Sequence, residues 1–142
     1  MKPRLLVVSH GKMAEETLRS AEMIVGPIEN AYAVSMLADD GAEGLKNKLN
    51  ELLSSLDEQP TLILADLYGG TPCNVANGMA MTSSNFTLVA GLNLGMVIEY
   101  AVSATESPEQ LAAELVESSK AGVLQIKVES VDSDDDEEIE IE

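Results

Sequence analysis

The sequence predicts an α/β fold with three layers: a doubly wound, mostly parallel sheet of four strands covered by helices on both faces, with an additional C-terminal edge strand. Short apolar runs of strand type alternate along the chain with longer segments whose apolar residues recur at helical spacing. Hydrophobic residues make up 45% of the 142 residues but aromatic residues only 3%, which favours an aliphatic core of strands and helices. The chain has the length of one ordinary domain.

The first half of the chain begins with two strand and helix pairs. Residues 5–8 (LLVV) form a continuous apolar run, as expected of a parallel strand buried on both faces. Apolar spacing then predicts a helix from about Met13 to Val25, where a Gly-Pro pair breaks the pattern. Residues 30–36 predict the second strand. Asp40 with Glu43 resembles a capping box ahead of a leucine stripe, which predicts the second helix.

The third and fourth strands enclose a loop rich in glycine. Residues 61–65 (TLILA) predict the third strand, which ends at Asp66. After the loop, Thr71 is expected to be the N-cap of a helix, with Pro72 at the first helical position. Residues 86–90 (FTLVA) predict the fourth strand.

Two helices and one strand complete the predicted order. A short helix is expected at 96–102, behind a flexible loop at 91–95. Ser107, followed by proline, begins the last helix, and Gly122 ends it. Residues 123–128 alternate between apolar and polar side chains, which predicts a half-polar strand at an edge or in an interface.

The only histidine of the chain lies where folds of this kind bind ligands. His10 follows the first strand and Asp66 follows the third, and ligands bind at the carboxyl ends of parallel strands. A lone histidine is often structural or simply exposed. This position favours a reactive one, because neutral imidazole is nucleophilic and a neighbouring helix N-terminus offers N–H groups to phosphate. We predict that His10 carries a phosphoryl group, on Nε2.

The neighbours of the histidine leave alternatives open. Asp66 either caps a loop or helix, or accepts a hydrogen bond from one ring nitrogen and so orients the ring. Gly69 and Gly70 either form a tight turn or let backbone N–H groups approach an anion, and Gly11 is a further phosphate-binding candidate. Thr71 caps its helix, donates its hydroxyl to phosphate, or does both.

Composition and motifs exclude several other functions. The single cysteine, Cys73, rules out an intramolecular disulfide framework, and one histidine with one cysteine makes a metal site improbable. No phosphate-binding loop or dinucleotide fingerprint occurs, so no cofactor is expected. The N-terminus lacks a signal-peptide pattern and no apolar stretch approaches the ~20 residues that span a bilayer, which predicts a cytoplasmic protein.

The net charge of −17 comes in large part from one segment. Residues 129–142 hold nine acidic residues and no basic one, and the other 128 residues hold sixteen acidic and eight basic residues, a net charge of −8. Without a basic cluster, nucleic-acid binding is not expected. We predict a domain at 1–128 and a disordered acidic tail at 129–142.

Two segments resemble the signatures of a known family. They are residues 6–11 (LVVSHG) with Ala14 and Glu15 after them, and residues 65–74 (ADLYGGTPCN). Both are similar to the mannose/sorbose-class IIA component of the bacterial phosphoenolpyruvate-dependent sugar phosphotransferase system. The resemblance covers about residues 4–128, including the order of elements.

The resemblance implies a phosphotransferase with a phosphohistidine intermediate. His10 would take a phosphoryl group from phospho-HPr and pass it to a IIB component, which phosphorylates the sugar during uptake. Asp66 would be the hydrogen-bond partner of the histidine and Thr71 a phosphate contact. The family implies a homodimer in which strand 123–128 is exchanged or packed across subunits, with the membrane IIC and IID components contacted only indirectly.

Two other functions fit the same residues. One is the phosphoryl-relay subunit of a dihydroxyacetone kinase, whose second loop looks different from residues 66–72. The other is a regulatory module in which phosphorylation of His10 controls a partner protein. The sequence alone does not separate a carrier from a sensor, because both need the same phosphohistidine.

Overall fold

In a computed structural model of the chain, which describes residues 1–130, four parallel strands form one sheet in the order β2-β1-β3-β4. The strands are β1 (Arg4–His10), β2 (Ala31–Met36), β3 (Thr61–Ala65) and β4 (Phe86–Ala90). The helices are α1 (Met13–Val25), α2 (Gly41–Ser54), α3 (Thr71–Thr82), α4 (Leu94–Val102) and α5 (Pro108–Ala121). The predicted doubly wound, four-stranded α/β fold is therefore confirmed.

The central strands are buried on both faces, which explains their unbroken apolar runs. Leu5 and Val7 of β1 pack against one core layer, formed with α1, α4 and α5. Leu6 and Val8 pack against the other layer, formed with α2 and α3. Side chains of a strand alternate between its faces, so one continuous run supplies two cores. Each fully buried Leu or Val contributes about 1.5–3 kcal/mol through the apolar area it removes from water.

Polar side chains set where α4 and α5 begin. The Asn93 side chain accepts a hydrogen bond from the backbone N–H of Met96, so α4 begins at Leu94 and not at residue 96 as predicted. Ser107 caps α5 as predicted, because its hydroxyl oxygen accepts the N–H of Gln110 at 3.3 Å. Each of these caps satisfies an N–H group that has no acceptor inside the helix.

The predicted capping box at the start of α2 is wrong. Oδ2 of Asp40 accepts hydrogen bonds from the backbone N–H of Leu37 at 2.6 Å and from Nζ of Lys48 at 2.5 Å. The Asp40 side chain makes no cap hydrogen bond to its own helix. A charge-assisted bond to an ammonium is stronger than one to a neutral N–H, so Lys48 draws the carboxylate away from the first turn.

The predicted edge strand at 123–128 is not part of the sheet of the described chain, which corrects the fifth strand of the expected fold. Residues 123–130 have no strand structure, and Val123, Leu124, Ile126 and Val128 are exposed. The alternating pattern specifies the two faces of a strand but not which chain provides the edge it pairs with. Exchange of this segment with a second copy remains a prediction. Most of the predicted tail, residues 131–142, lies outside the described residues.

Residues 123–130 leave the domain at the edge of the sheet where the carboxyl ends of the strands lie. Ser103 bonds to Glu114 and Ser118 to Glu99, so α5 runs antiparallel to α4. Because α4 begins just after the carboxyl end of β4, α5 ends at that same edge of the sheet.

Candidate functional site

Two neighbouring strands bring His10 and Asp66 together. β1 and β3 pair in parallel with Val8 opposite Ala65, so both strands end at the same edge of the sheet. β1 connects outward to β2 on one side and β3 to β4 on the other, so this is the point where the strand order reverses. Such a switch point leaves an open crevice at the carboxyl ends of the two strands.

The carboxylate of Asp66 holds the histidine through both its ring and its backbone. Nδ1 of His10 lies 2.8 Å from Oδ2 of Asp66, and the backbone N–H of His10 donates to the same oxygen at 2.9 Å. The other carboxylate oxygen accepts the N–H of Leu67 at 2.9 Å. The Asp66 side chain is only 9% exposed, whereas the His10 side chain is 46% exposed.

This arrangement determines which ring nitrogen of His10 carries a proton. An ionised carboxylate can only accept hydrogen bonds, so Nδ1 of His10 must carry a proton and donate it to Asp66. In the neutral ring the lone pair then lies on Nε2. The ring is half-exposed, and the reaction of His10 at Nε2 stays a prediction.

Helix α3 begins beside the edge of the imidazole ring. A Cβ atom built on Gly70 would lie 2.8 Å from Cε1 of His10, closer than real Cβ contacts allow. Gly70 is therefore needed for the close approach of the helix start to the ring. The first turn of a helix carries N–H groups without intrahelical acceptors and the positive end of its dipole. In α3 these N–H groups belong to Thr71 and Cys73, because Pro72 has none.

Two of the three glycines predicted to bind phosphate use their N–H groups within the chain. The N–H of Gly11 donates to the carbonyl of Met36 at 2.8 Å, and the N–H of Gly70 donates to the carbonyl of Leu67 at 3.0 Å. Neither group is free to donate to an anion in this conformation. Gly69 has a positive φ of 82°, and its carbonyl accepts a hydrogen bond from Nδ2 of Asn74 at 3.3 Å.

Thr71 lies one residue further into α3 than the sequence predicted. The N-cap is Gly70, with extended backbone angles of −77° and 165°, and Thr71 is the first helical residue with Pro72 second. The helix thus begins one residue earlier, because Gly70 and not Thr71 adopts the extended cap conformation. As the first helical residue, Thr71 has its side chain at the helix start.

Four exposed apolar residues lie at the same edge of the sheet as His10; we call them the apolar rim, and the sequence analysis did not single them out. It consists of Met13, Leu37, Leu67 and Tyr68, which are 44%, 43%, 60% and 87% exposed. Each lies in a loop or first turn directly after the end of β1, β2 or β3. The signal in the sequence was a pair of large apolar residues following a strand-end aspartate.

Within residues 1–130, no group of three or more histidine, cysteine or acidic side chains could hold a metal ion. In the same part of the chain, no helix has both the length and the apolar character needed to cross a membrane.

Comparison with known proteins agrees with the site and the fold. Residues 4–120 match the family model EIIA-man, described as "PTS system fructose IIA component". A solved structure, the mannose/sorbose specific IIA subunit of phosphotransferase system from Enterococcus faecalis, is 49% identical with a TM-score of 0.86, and the match covers 92% of this chain and 99% of that one.

Curated relatives carry names of the same class. The PTS system mannose-specific EIIAB component of Escherichia coli (strain K12) is 31% identical over 131 residues, 90% of this chain, and this chain spans 41% of that protein's length. The PTS system sorbose-specific EIIA component of Lacticaseibacillus casei is 29% identical over 113 residues, 79% of this chain and 82% of that protein. The chain belongs to the mannose/sorbose family of IIA components of the phosphoenolpyruvate-dependent sugar phosphotransferase system.

Proposed function

We propose that this chain is a cytoplasmic phosphoryl carrier of a sugar phosphotransferase system. His10 accepts a phosphoryl group from phospho-HPr and passes it to a IIB component during coupled sugar uptake and phosphorylation. The observation that carries this proposal is the His10–Asp66 pair, with Nδ1 and Oδ2 2.8 Å apart. It leaves Nε2 as the nucleophilic nitrogen of a half-exposed ring.

In the transfer step, the lone pair of Nε2 attacks the phosphorus of the phosphohistidine donor. A new N–P bond forms on His10 as the donor's N–P bond breaks, and the electron pair of that bond leaves with the donor imidazole. The proton on Nδ1 stays in place. The phosphorylated ring then carries a positive charge, which the adjacent Asp66 carboxylate stabilises electrostatically. Transfer to the IIB component reverses these steps.

The phosphoryl oxygens are proposed to bind at the start of α3. Thr71 donates its hydroxyl and its backbone N–H, and the helix dipole favours the negative charge. Gly69 supports the loop by adopting a positive φ of 82°, which suits glycine. The N–H groups of Gly70 and Gly11 are already used within the protein. Gly70 therefore contributes by leaving room for the His10 ring, and Gly11 contributes by adopting a positive φ. No metal or cofactor takes part.

The apolar rim is proposed to dock the protein partners. Exposed Leu67 and Tyr68 lie next to Asp66, so a partner that covers them would bring its own histidine to Nε2 of His10. The membrane IIC and IID components are reached only through the IIB component. With a net charge of −17, the chain has no affinity for nucleic acid.

The domain at 1–128 is proposed to form a homodimer. Residues 123–128 expose an alternating apolar stripe, and β4 has an unpaired edge in the described chain. In a strand exchange, an exposed strand-like segment of one chain pairs with the unpaired sheet edge of another chain. The acidic segment 129–142 is proposed to be a tail that phosphoryl transfer does not require.

A direct test is phosphorylation in a reconstituted system. The protein is incubated with phosphoenolpyruvate, enzyme I and HPr, and its intact mass is measured under conditions that preserve acid-labile phosphate. We expect a gain of one phosphate that is absent from His10→Ala and reappears on an added IIB component. No gain in the wild type, or an unchanged gain in the variant, contradicts the proposal.

A further inference from the structure

We infer that Ser9 is a positioning residue for the phosphoryl transfer, acting through the turn that carries His10; this inference rests on the proposed function. Ser9 precedes His10 in β1, and its side chain is fully buried. Adjacent side chains of a strand point to opposite faces, so Ser9 lies on the face of β1 covered by α1, and His10 lies on the face where α3 begins. The hydroxyl therefore touches neither phosphate nor partner.

The hydroxyl of Ser9 closes the turn between β1 and α1. Oγ accepts the backbone N–H of Ala14 at 2.7 Å and donates its own proton to the carbonyl of Gly11 at 3.0 Å. Ala14 is fully buried in the first turn of α1, where its N–H has no intrahelical acceptor. One side chain thus satisfies a helix-start N–H and holds the peptide between Gly11 and Lys12, one residue beyond His10.

The same turn is held from two other directions. The backbone N–H of His10 donates to Asp66, which ties the residue to the end of β3. Gly11, with a positive φ of 54°, donates its N–H to the carbonyl of Met36 at the end of β2. Ser9 adds the third tie, to α1.

The three ties determine where Nε2 points. The Asp66 carboxylate anchors the ring at Nδ1, but the direction of the Nδ1 to Nε2 axis also depends on the position of the His10 backbone. Removal of the Ser9 hydroxyl leaves the buried Ala14 N–H without an acceptor, and the turn must move to find another. A shift of ~1 Å in a reacting group can slow a reaction by about 10²-fold.

The test compares three variants by single-turnover transfer from phospho-HPr. We expect Ser9→Ala to lower the rate at saturating donor roughly 10- to 100-fold, with the donor concentration at half-maximal rate unchanged. Ser9→Thr, which keeps the hydroxyl, should restore the rate to within about threefold of wild type. Ser20→Ala, an exposed serine of α1, is the matched control and should leave the rate unchanged.

A second measurement does not depend on the transfer. In the unphosphorylated protein, the NMR signal of the His10 Nδ1 proton reports the bond to Asp66, and we expect it to broaden or shift in Ser9→Ala but not in Ser20→Ala. Thermal unfolding checks that each variant is folded, and Ser9→Cys, with its weaker S–H donor, replaces Ser9→Ala if the latter is unfolded.

The outcomes separate this inference from the proposed function. If wild-type protein takes up no phosphate, the proposed function fails, and the NMR comparison alone decides the role of Ser9. A folded Ser9→Ala with wild-type rate and an unchanged Nδ1 proton signal overturns the inference. A slower Ser9→Ala that Ser9→Thr does not restore also overturns it, provided that the Thr variant is folded, because the hydroxyl is then not the responsible group.

Discussion

Substitution of Gly70 by alanine tests how the position of the His10 ring affects phosphoryl transfer, without straining the backbone of the fold. The added Cβ would lie 2.8 Å from Cε1 of His10. An ordinary contact begins at 3.4 Å, so the ring or the helix start must move by about 0.6 Å. The φ of Gly70 is −77°, which alanine adopts freely, and the substitution therefore adds a steric contact without backbone strain.

The magnitude follows from the geometry of the ring. A movement of about 0.6 Å occurs against the 2.8 Å bond between Nδ1 and Asp66, so this bond lengthens or the ring tilts and Nε2 leaves the line of attack. Misplacement of this size slows transfer by roughly 10- to 100-fold. The assay is single-turnover transfer from phospho-HPr, measured by rapid quench and intact mass.

Gly78→Ala is the matched control in the same helix. A Cβ at Gly78 has no neighbour within 4 Å, and the residue is exposed in α3. We expect wild-type transfer and a stability gain of about 0.5–1 kcal/mol, because alanine restricts the unfolded chain and favours the helix. Wild-type transfer by Gly70→Ala, with the Nδ1 proton signal of His10 unchanged, would refute the argument that this glycine makes room for the ring.

Four further predictions follow from other parts of the molecule. Asp66→Ala removes the acceptor of three N–H groups and should slow transfer by about 10²-fold with the fold retained, and unchanged single-turnover kinetics would assign Asp66 a capping role only. Burial raises the pKa of Tyr100 to about 12, so the folded state favours the neutral phenol; its contribution is complete below pH 10 and is lost between pH 10 and about 12. Urea unfolding should show a loss of about 3 kcal/mol over this range that is absent from Tyr100→Phe, and equal losses would contradict it. Deletion of 129–142 should leave transfer from phospho-HPr intact, and a large loss of rate at low salt would give the tail a docking role. Ile126→Asp should convert a dimer to a monomer in analytical ultracentrifugation, and an unchanged sedimentation coefficient would argue against exchange of residues 123–128.

The pairing of His10 with Asp66 could be predicted because it depends only on the order of elements. Both residues follow apolar runs, and parallel strands that share a sheet end at the same edge. The continuous runs also predicted burial on both faces, since alternate residues of β1 enter two different cores. These inferences need no side-chain geometry.

The acceptors of the glycine N–H groups could not be predicted in this way. Gly11 donates to Met36, which belongs to a strand more than twenty residues away and is placed opposite His10 by the register of β1 with β2. Asp40 likewise pairs with Lys48, which lies about two turns further along α2 and places its ammonium 2.5 Å from Oδ2. Sequence spacing indicates that a polar group needs a partner but not which of several partners the tertiary structure provides.

The open position of the histidine has a consequence for timing. In the proposed carrier role, a phosphoryl group on Nε2 would be attached to a ring that is 46% exposed at the edge of the sheet. In that role, protection of the group would be kinetic, and its lifetime in water would need to exceed only the interval between two partner encounters. For a partner at ~10 μM and association rates of 10⁵–10⁷ M⁻¹s⁻¹, that interval is about 10 ms to 1 s. For the proposed carrier, an exposed nitrogen would then be an advantage, because two different partners could reach it without a lid having to open between them.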